Sequence, residues 1–347
     1  MMSIGDMKVL LVAGPLDSAT SYEYFNFQQP LERLVGKVMT FDFVARIQAQ
    51  GRVAMNQTLL AMVKRECPDV IIFIPHTDQF IPEIVDEIGK HTITIGYLFD
   101  DMWRIEYSRF WAKHFNFITT SDVNGLRKFR DVGFTNVIYS PFACNHEVYR
   151  KKDLSKRYDI SFVGQYHPQR EWYINRLNKH GFKVQVWGSG WPRGVLSTQE
   201  MINVFNQSRI NLNLSNCVSW DIRYLLTLSR PINSTLRVWR QAAMAFTHSG
   251  MKTAEQIKGR HFEINACGGF QLSYYAEGLE RVYQIGSEIT LYVDPDDLVE
   301  KIRYYLRDNK ERQTIACHGY ERTLREHTMD KRLLEIFLQV GFGVEVH

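Results

Sequence analysis

Hydrophobic residues recur with two different periods along the first 145 residues, and the two periods alternate. Short apolar runs, each ended by glycine, proline or polar residues, are typical of buried strands. They lie at residues 8–13, 37–43, 69–75, 92–100, 115–121 and 136–141. Helical spacing appears between them, for example at 55–67 and 81–91. Strands that alternate with helices predict βαβ units on a parallel sheet, so we predict the α/β class.

The same alternation resumes after residue 159, which indicates a second domain of similar design. Strands are predicted at 159–165, 183–190, 209–215 and 269–275, with helices at 169–181, 198–208 and 294–308 and about two more at the end. We interpret the polar segment 140–159 between the halves as the passage between two doubly wound domains. Ligands bind such domains at the carboxyl ends of their strands, which in a two-lobed protein would face each other across a cleft.

Composition narrows the class of protein. The 347 residues exceed what one core usually supports. The net charge of +4 is small, and its charges are interleaved, so no nucleic-acid partner is predicted. Residues 149–152 and 156–157 form the densest basic run, which we interpret as a solvated linker. Five separated cysteines without a Cys-x-x-Cys pair indicate a reducing compartment and no zinc site.

The sequence predicts neither a signal peptide nor a membrane helix. The first residues lack the pattern of a signal peptide, and no window approaches the roughly 18 uninterrupted apolar residues of a membrane helix. A cytoplasmic location is therefore expected.

One segment, 218–251, is longer than an ordinary connection and rich in leucine and tryptophan. It is either a flap over a binding site or a packed excursion, and the sequence leaves both open.

Two glycine-containing loops and a cluster of charged residues are the candidate ligand-binding sites. Gly164 follows a strand and Arg170 lies near the start of the next helix, which suits either an anion site or a plain turn with a surface arginine. Gly188, Ser189, Gly190 and Trp191 end another strand, where glycine permits close approach of a ligand. No Gly-x-Gly-x-x-Gly or Walker motif opens the first helix, which disfavours a common dehydrogenase or a P-loop NTPase.

The stretch from 258 to 279 contains the second candidate. Lys258 and Arg260 precede Glu263, a carboxylate among apolar neighbours. A helix that begins near Arg260 would favour a diphosphate at its amino end, and Glu263 could accept hydrogen bonds from ribose hydroxyls. Gly268 and Gly269 would let that helix end tightly. An internal ion pair between Glu263 and Arg260 or Lys258 explains the same spacing, and the two interpretations stay open.

The second half resembles the CgeB-like glycosyltransferases, enzymes of the GT-B fold. The matching segments occur in order over residues 159–328: "DISFVGQYHPQRE", "VQVWGSGW", "INLNLSN", "IKGRHFEINACGGFQL", "GSEITLYVDPDDLVEKIRYYL" and "ERQTIACHGYERTLREHT". The first half agrees through "TIGYLFDDMWRIEYSRFWAKHFNFITTSD" and "VIYSPFACNHEVY". The resemblance implies two Rossmann-like domains, an acceptor domain at 1–145 and a donor domain at 146–328. A final helix within 329–347 would cross back to the first.

The resemblance also implies roles for single residues. Glu263 would bind the ribose of a nucleotide, Gly164 and Arg170 would approach its diphosphate, and Lys258 and Arg260 would assist. Asp100 and Asp101 would face the donor sugar, either as the base that deprotonates the acceptor or as positioning groups; capping of the next helix is the alternative. The loop 188–191 would lie near the nucleobase. The other predicted donor-site residues are Gln165, Asn213, Ser215, Gly268 and Gly269, and those on the acceptor side are Gly14 and Asp17.

The predicted activity is therefore transfer of a sugar from a nucleotide-diphosphate sugar to a hydroxyl of a glycan or other acceptor. Such transfer needs no cofactor and, in this fold, generally no metal, because cations and helix amino ends neutralise the leaving phosphate. Peripheral contact with a membrane stays open. A nucleotide-sugar epimerase or hydrolase and a non-catalytic nucleotide-sugar-binding protein are the alternatives. A flavodoxin-like regulatory module fits the length poorly.

Overall fold

The computed structural model describes residues 2–17, 19–215 and 255–343, so the 218–251 insertion lies outside the described residues. Contacts divide the chain into two compact units. The first unit is Met1–Val148 together with His327–His347, and the second unit is Tyr149–Glu326. The α/β class predicted from the sequence is confirmed, since both units are built on parallel sheets.

The first unit contains a six-stranded parallel sheet in the order β2-β1-β3-β4-β5-β6. Its strands are β1 (Lys8–Ala13), β2 (Lys37–Asp42), β3 (Val70–Phe73), β4 (Ile93–Gly96), β5 (Phe117–Thr120) and β6 (Val137–Tyr139). The helices between them are α1 (Gln29–Leu34), α2 (Phe43–Glu66), α3 (Pro82–Gly89), α4 (Asp101–Trp111) and α5 (Gly125–Arg130). A π-helical turn, Tyr24–Gln28, leads into α1.

Both faces of this sheet are buried, because successive side chains of a strand point to opposite faces. Val9 and Leu11 of β1 belong to the hydrophobic cluster that contains α1, whereas Leu10 and Val12 belong to the cluster that contains α2 and α3. The continuous apolar runs that predicted the strands are thus explained by cover on two faces.

The second unit contains a five-stranded parallel sheet in the order β11-β10-β9-β7-β8. Its strands are β7 (Tyr158–Val163), β8 (Val184–Trp187), β9 (Ser208–Asn213), β10 (Gln271–Tyr274) and β11 (Thr290–Tyr292). Its helices are α6 (Pro168–Lys179), α7 (Thr198–Gln207), α8 (Arg260–Ala266), α9 (Leu279–Val282), α10 (Pro295–Arg307) and α11 (Asn309–Glu326).

The two faces of the second sheet differ in polarity. One face carries Ile160, Phe162, Ile210 and Leu212 and packs in a hydrophobic cluster with side chains of α6 and α10. The other face carries a buried polar row, which we call the polar row: Ser161, Asn211, Asn213, Gln271 and Ser273. The sequence "INLNLS" shows this alternation directly.

Hydrogen bonds satisfy the polar row and tie it to the helices above. Ser161 Oγ donates to Asn211 Oδ1 at 3.1 Å, and Asn213 Nδ2 donates to Gln271 Oε1 at 2.9 Å. Gln271 Nε2 donates to the carbonyl of His261 and to Asn265 Oδ1 on α8. Because unpaired buried amides are costly, this arrangement fixes where α8 lies on the sheet.

The last helix, α12 (Met329–Gln339), belongs to the first unit. Leu333, Ile336 and Phe337 are buried in the same hydrophobic cluster as Val9 and Leu11. The backbone of Cys144 bonds to residues at the start of α12, including Met329 N at 2.8 Å. The helix therefore completes the core of a unit whose other elements come from the beginning of the chain.

Two local predictions are corrected by the structure. Helix α2 begins at Phe43 and not at residue 55, because Asp42 Oδ1 accepts from Ala45 N and starts the helix early, although Gly51 interrupts its helical dihedrals. The basic run is not a solvated linker throughout: Lys156 is exposed, but its Nζ donates to the carbonyls of Asn206 and Ser208 at 2.8 and 2.9 Å. None of the described helices is long and apolar enough to cross a membrane.

Candidate functional site

The connectivity of the second sheet changes direction at β7. The chain passes from β7 to β8 on one side and then crosses to β9 on the other side of β7. Such a switch point leaves a crevice beyond the carboxyl ends of the two central strands, where α/β domains bind ligands. Here the crevice is formed by the loops that follow Val163 and Asn213, which include the predicted residues Gly164, Gln165 and Ser215.

Arg170 joins these two loops. From the first turn of α6, its Nε donates to the carbonyl of Leu214 at 2.8 Å and its Nη1 donates to the carbonyl of Gln165 at 2.7 Å. The guanidinium also lies 5.5 Å from the centre of the Phe162 ring. A half-buried cation is thereby held at the switch point beside the amino end of a 12-residue helix, an arrangement suited to a phosphate group.

The loop after β8 closes against the loop after β7. Trp191 Nε1 donates to the carbonyl of Gly164 at 3.0 Å, and Tyr166 N donates to the carbonyl of Ser189 at 2.7 Å. Gly188 has φ 138°, and a Cβ there would lie 2.0 Å from the carbonyl oxygen of Gly164. Only glycine fits this approach. The structure thus brings Gly188, Ser189, Gly190 and Trp191 together with Gly164 and Gln165, as a single group of loops.

Glu263 is in an internal ion pair. Its carboxylate, 5% exposed, bonds to the Arg260 guanidinium one helical turn earlier on α8. Arg260 also contacts Met201 Sδ and lies 5.3 Å from the centre of the Phe205 ring, both on α7. The ion-pair alternative left open by the sequence is therefore present in the structure. Lys258 lies just before α8, where its backbone N–H donates to His261 Nδ1 at 3.1 Å.

Three further residues predicted for the donor site lie in or next to the second sheet. Asn213 is 6% exposed, and its amide is bonded to Gln271 in the polar row. Gly268 and Gly269 precede β10 and so lie at the amino edge of the sheet, opposite the switch point. Gly268 packs against Lys151, and Gly269 against Asn211 and Ile264. The prediction that these glycines let α8 end tightly agrees with the structure, since Gly268 has φ 64°. They lie, however, away from the switch point, where the other predicted donor loops meet.

In the first unit, Asp100 lines a cavity of about 250 Å³ at the carboxyl ends of β3 and β4. The cavity is also lined by His76 and by Arg104, whose Nη1 donates to the carbonyl of His76 at 2.9 Å. Asp100 occupies the N-cap position of α4, yet its side chain makes no capping hydrogen bond. Sequence reasoning missed His76 and Arg104, although the sequence places His76 directly after a strand.

Asp101 differs from its neighbour, because its side chain is fully buried. Its carboxyl accepts a hydrogen bond from Ser108 Oγ. Burial raises the pKa of Asp101 to about 6, against the opposing effect of hydrogen bonds from Ser108 and Thr120. The predicted catalytic pair is thus divided: only Asp100 reaches the cavity, and Asp101 is placed to hold the start of α4.

The predicted acceptor-side residues lie in the loop after β1. Gly14 is buried against Asp42, and a Cβ there would lie 2.5 Å from Asp42 Oδ1. Asp17 is exposed, and the backbone N–H groups of Thr20 and Ala19 lower its pKa by bonding to the carboxylate. This loop leads to Glu23, whose carboxylate lies 3.6 Å from His76 Nε2. The two loops are therefore adjacent at the carboxyl edge of the first sheet.

Comparisons with known proteins agree with this architecture. Residues 169–337 match the family described as "Glycosyl transferase-like". The chain is 25% identical over 248 residues to spore protein CgeB of Bacillus subtilis strain 168, a match that covers 70% of this chain and 74% of CgeB. Its structure is similar to that of HepE from Anabaena in complex with UDP and glucose, with a TM-score of 0.63, 9% identity, and coverage of 96% of this chain and 99% of HepE.

Sucrose-phosphate synthase from Thermosynechococcus elongatus is similar as well, with a TM-score of 0.61, 8% identity, and coverage of 96% of this chain and 99% of the synthase. At such low identity the two structures show only that the fold is shared. The similarity in sequence rests on the family match and on CgeB. The comparisons therefore support a glycosyltransferase with the GT-B fold that is similar in sequence to CgeB. The resemblance stated from the sequence segments is thereby confirmed.

The described part of this chain contains no group of three or more His, Cys, Asp or Glu side chains that could hold a metal ion. At the switch point, two backbone carbonyls fix the guanidinium of Arg170.

The elevated pKa of Asp101 predicts a pH dependence of stability. Between pH 3.8, its ordinary pKa, and about pH 6, the folded protein holds the proton and the unfolded chain has largely lost it. The free energy of unfolding therefore falls as the pH rises through this window. Asp101→Asn removes that fall, so relative to the unaltered protein the variant should gain up to about 3 kcal/mol between pH 4 and pH 7. Urea denaturation at both pH values measures this, and an equal difference at both would contradict it.

Proposed function

We propose that this glycosyltransferase moves a sugar from a nucleoside diphosphate-sugar to a hydroxyl of an acceptor, with the donor bound at the switch point of the second sheet. The placement of Arg170 is the observation on which the proposal rests. Its guanidinium is held by carbonyls of both central loops, so it is positioned before any ligand arrives. Such preorganisation lowers the entropic cost of binding a diphosphate.

The surrounding loops support a nucleotide of this kind. Gly164, Gly188 and Gly190 bring backbone close to the switch point without side chains, and Trp191 offers an aromatic ring next to them. The solved structure of HepE, similar in fold, contains UDP and glucose. We therefore take UDP as the first nucleotide to test, with GDP and ADP beside it.

We propose that Glu263 binds the ribose of the donor while it stays paired with Arg260. A carboxylate has several lone pairs, so one guanidinium does not use all its acceptor capacity. The polar row holds α8 in place through His261 and Asn265, which keeps Glu263 oriented. The ion pair and the ribose role are then compatible.

We propose further that transfer proceeds without a metal ion and without another cofactor. Arg170 and the amino end of α6 would balance the charge that develops on the leaving diphosphate, which is how fixed dipoles and cations stabilise such a group. On the acceptor side, Asp100 would take the proton of the attacking hydroxyl. His76 and Arg104 line the same cavity and would orient the acceptor.

Arg170→Ala should weaken binding of UDP by about 10- to 150-fold, the equivalent of about 1.5–3 kcal/mol for hydrogen bonds to a charged group. Binding of uridine, which lacks the diphosphate, should change much less. Calorimetric titration with UDP and with uridine, each in the presence of EDTA, measures both. Arg176→Ala is the matched control, because Arg176 lies on the same helix but pairs with Asp296. Equal losses for UDP and uridine would refute the diphosphate assignment.

Glu263→Gln should weaken UDP and uridine alike by about 1.5–3 kcal/mol, since both contain the ribose. Glu300→Gln is the control: Glu300 pairs with Arg303 at the same spacing but is exposed. Titration of both ligands is combined with a melting curve of each ligand-free variant. A lower melting temperature with unchanged affinity would mean that Glu263 serves only the ion pair.

Asp100→Asn should lower turnover by about 10²- to 10⁴-fold and leave UDP affinity nearly unchanged, because a general base acts on the chemical step. Release of UDP from the donor is measured with the acceptor that supports turnover by the unaltered protein. Asp86→Asn, an exposed acid of the first unit paired with His114, is the control. Donor turnover that needs no acceptor would indicate a hydrolase, and near-normal turnover in Asp100→Asn would exclude Asp100 as the base.

A further inference from the structure

A second cavity lies at the amino edge of the second sheet, opposite the switch point. Its volume is about 400 Å³. Lys156, just before β7, Arg209, at the start of β9, and Arg312, in the first turn of α11, all line it. Because parallel strands share one direction, these segments meet at one edge although they are far apart in sequence.

The three cations have few negative partners. Within residues 2–17, 19–215 and 255–343, neither Lys156 nor Arg312 forms an ion pair with a carboxylate, and Arg209 pairs only with the exposed Asp159, at 3.4 Å. Lys156 and Arg312 are bonded instead to neutral oxygens, among them the carbonyls of Ser208 and Tyr305. Arg312 is 5% exposed, so its charge is largely removed from water.

The pKa values of the same groups reflect the electrostatic cost of this arrangement. Partial desolvation, together with the charges of Arg312 and Lys151, lowers the pKa of Lys156 to about 8. Burial and the charge of Arg209 lower the pKa of Arg312, against the opposing charges of Asp159 and Asp308. Arg312 is the buried member of the group, whereas Lys156 and Arg209 are exposed. Like charges held close together repel one another, and a bound anion would relieve that repulsion.

We propose that this cavity is a second anion site, which binds the phosphate group of a small phosphorylated metabolite. Three cations around one cavity suit the several oxygens of a phosphate monoester. The remaining walls are mixed: Asn309 and Gln313 offer amides to hydroxyl groups, and Phe270 and Leu306 offer apolar surface to a carbon skeleton. The cavity is larger than inorganic phosphate needs, which favours a metabolite with a carbon skeleton over the free ion.

The site is separate from the donor site proposed above and does not depend on it. Arg170 lies beyond the carboxyl ends of β7 and β9, whereas Lys156 and Arg209 lie at the amino ends of these same strands. Removal of Arg170 should therefore leave the second site intact, and removal of Arg209 should leave the donor site intact. This separation provides the control for an experiment.

The test uses the full chain and two probes, inorganic phosphate and ribose 5-phosphate, with ribose as the uncharged comparison. Affinity is measured by calorimetric titration at constant ionic strength. The unaltered protein and Arg170→Ala should both bind ribose 5-phosphate, more tightly than phosphate, and neither should bind ribose. Arg209→Gln should weaken ribose 5-phosphate binding by about 10-fold or more, the effect of losing a hydrogen bond to a charged group.

Lys156→Gln is a second variant in case the first is compensated by neighbouring cations. It should show the same loss, and the rise in melting temperature that ribose 5-phosphate produces in the unaltered protein should shrink in both variants. The proposal is overturned if the unaltered protein binds no ribose 5-phosphate, if Arg170→Ala abolishes the binding, or if Arg209→Gln and Lys156→Gln both retain it in full.

Discussion

The polar row of the second sheet is the constraint on which the rest of that unit depends. Amides and hydroxyls buried at Ser161, Asn211 and Gln271 must all find partners, because each unpaired group would cost free energy comparable to a lost hydrogen bond. Their partners lie on neighbouring strands and on α8, so the row sets the register between sheet and helix. An apolar face would have allowed α8 to shift along the sheet, whereas the hydrogen bonds of the polar row prevent such a shift.

The position of α8 in turn determines what can happen at both edges of the sheet. Its start carries Arg260 and Glu263, and its end turns at Gly268 into β10 beside the amino-edge cavity. His261, the second residue of α8, is fully buried, and burial lowers the pKa of its imidazole to about 4, so the ring is neutral and bonds to Ser273 Oγ. The position of this short helix thus affects both the Arg260–Glu263 ion pair and the cationic cavity at the amino edge.

The sequence predicted the strands well because they are buried on both faces or alternate strictly: residues 8–13 were predicted as a strand and form β1. It missed β11, whose three residues are too few to show a period. The structure brings Gly164, Arg170 and Trp191 together, because all follow strands that end at the same edge. Gly268 and Gly269 end α8, as the sequence predicted, and this places them at the opposite edge of the sheet.

Finer features of the candidate site depend on three-dimensional neighbours that spacing cannot show. Asp100 and Asp101 are adjacent in sequence, yet only one lines the cavity, because the first turn of α4 directs Asp101 toward Ser108 in the core. Lys156 bonds to carbonyls more than 45 residues away in the sequence. These partners could not be predicted from the basic run itself, whose composition is that of a linker. In both cases the three-dimensional neighbours, and not the residue type, decide the role.

The chain path through the first unit has a consequence for synthesis on the ribosome. Strands β1 to β6 are made first, the whole second unit follows, and α12 is made last. Until Leu333 and Phe337 emerge, the sheet face that bears Val9 and Leu11 lacks part of its cover. The second unit contains all its own strands within one continuous segment, so it can complete its described sheet earlier. The first unit can therefore complete its described core only after the second unit has been made.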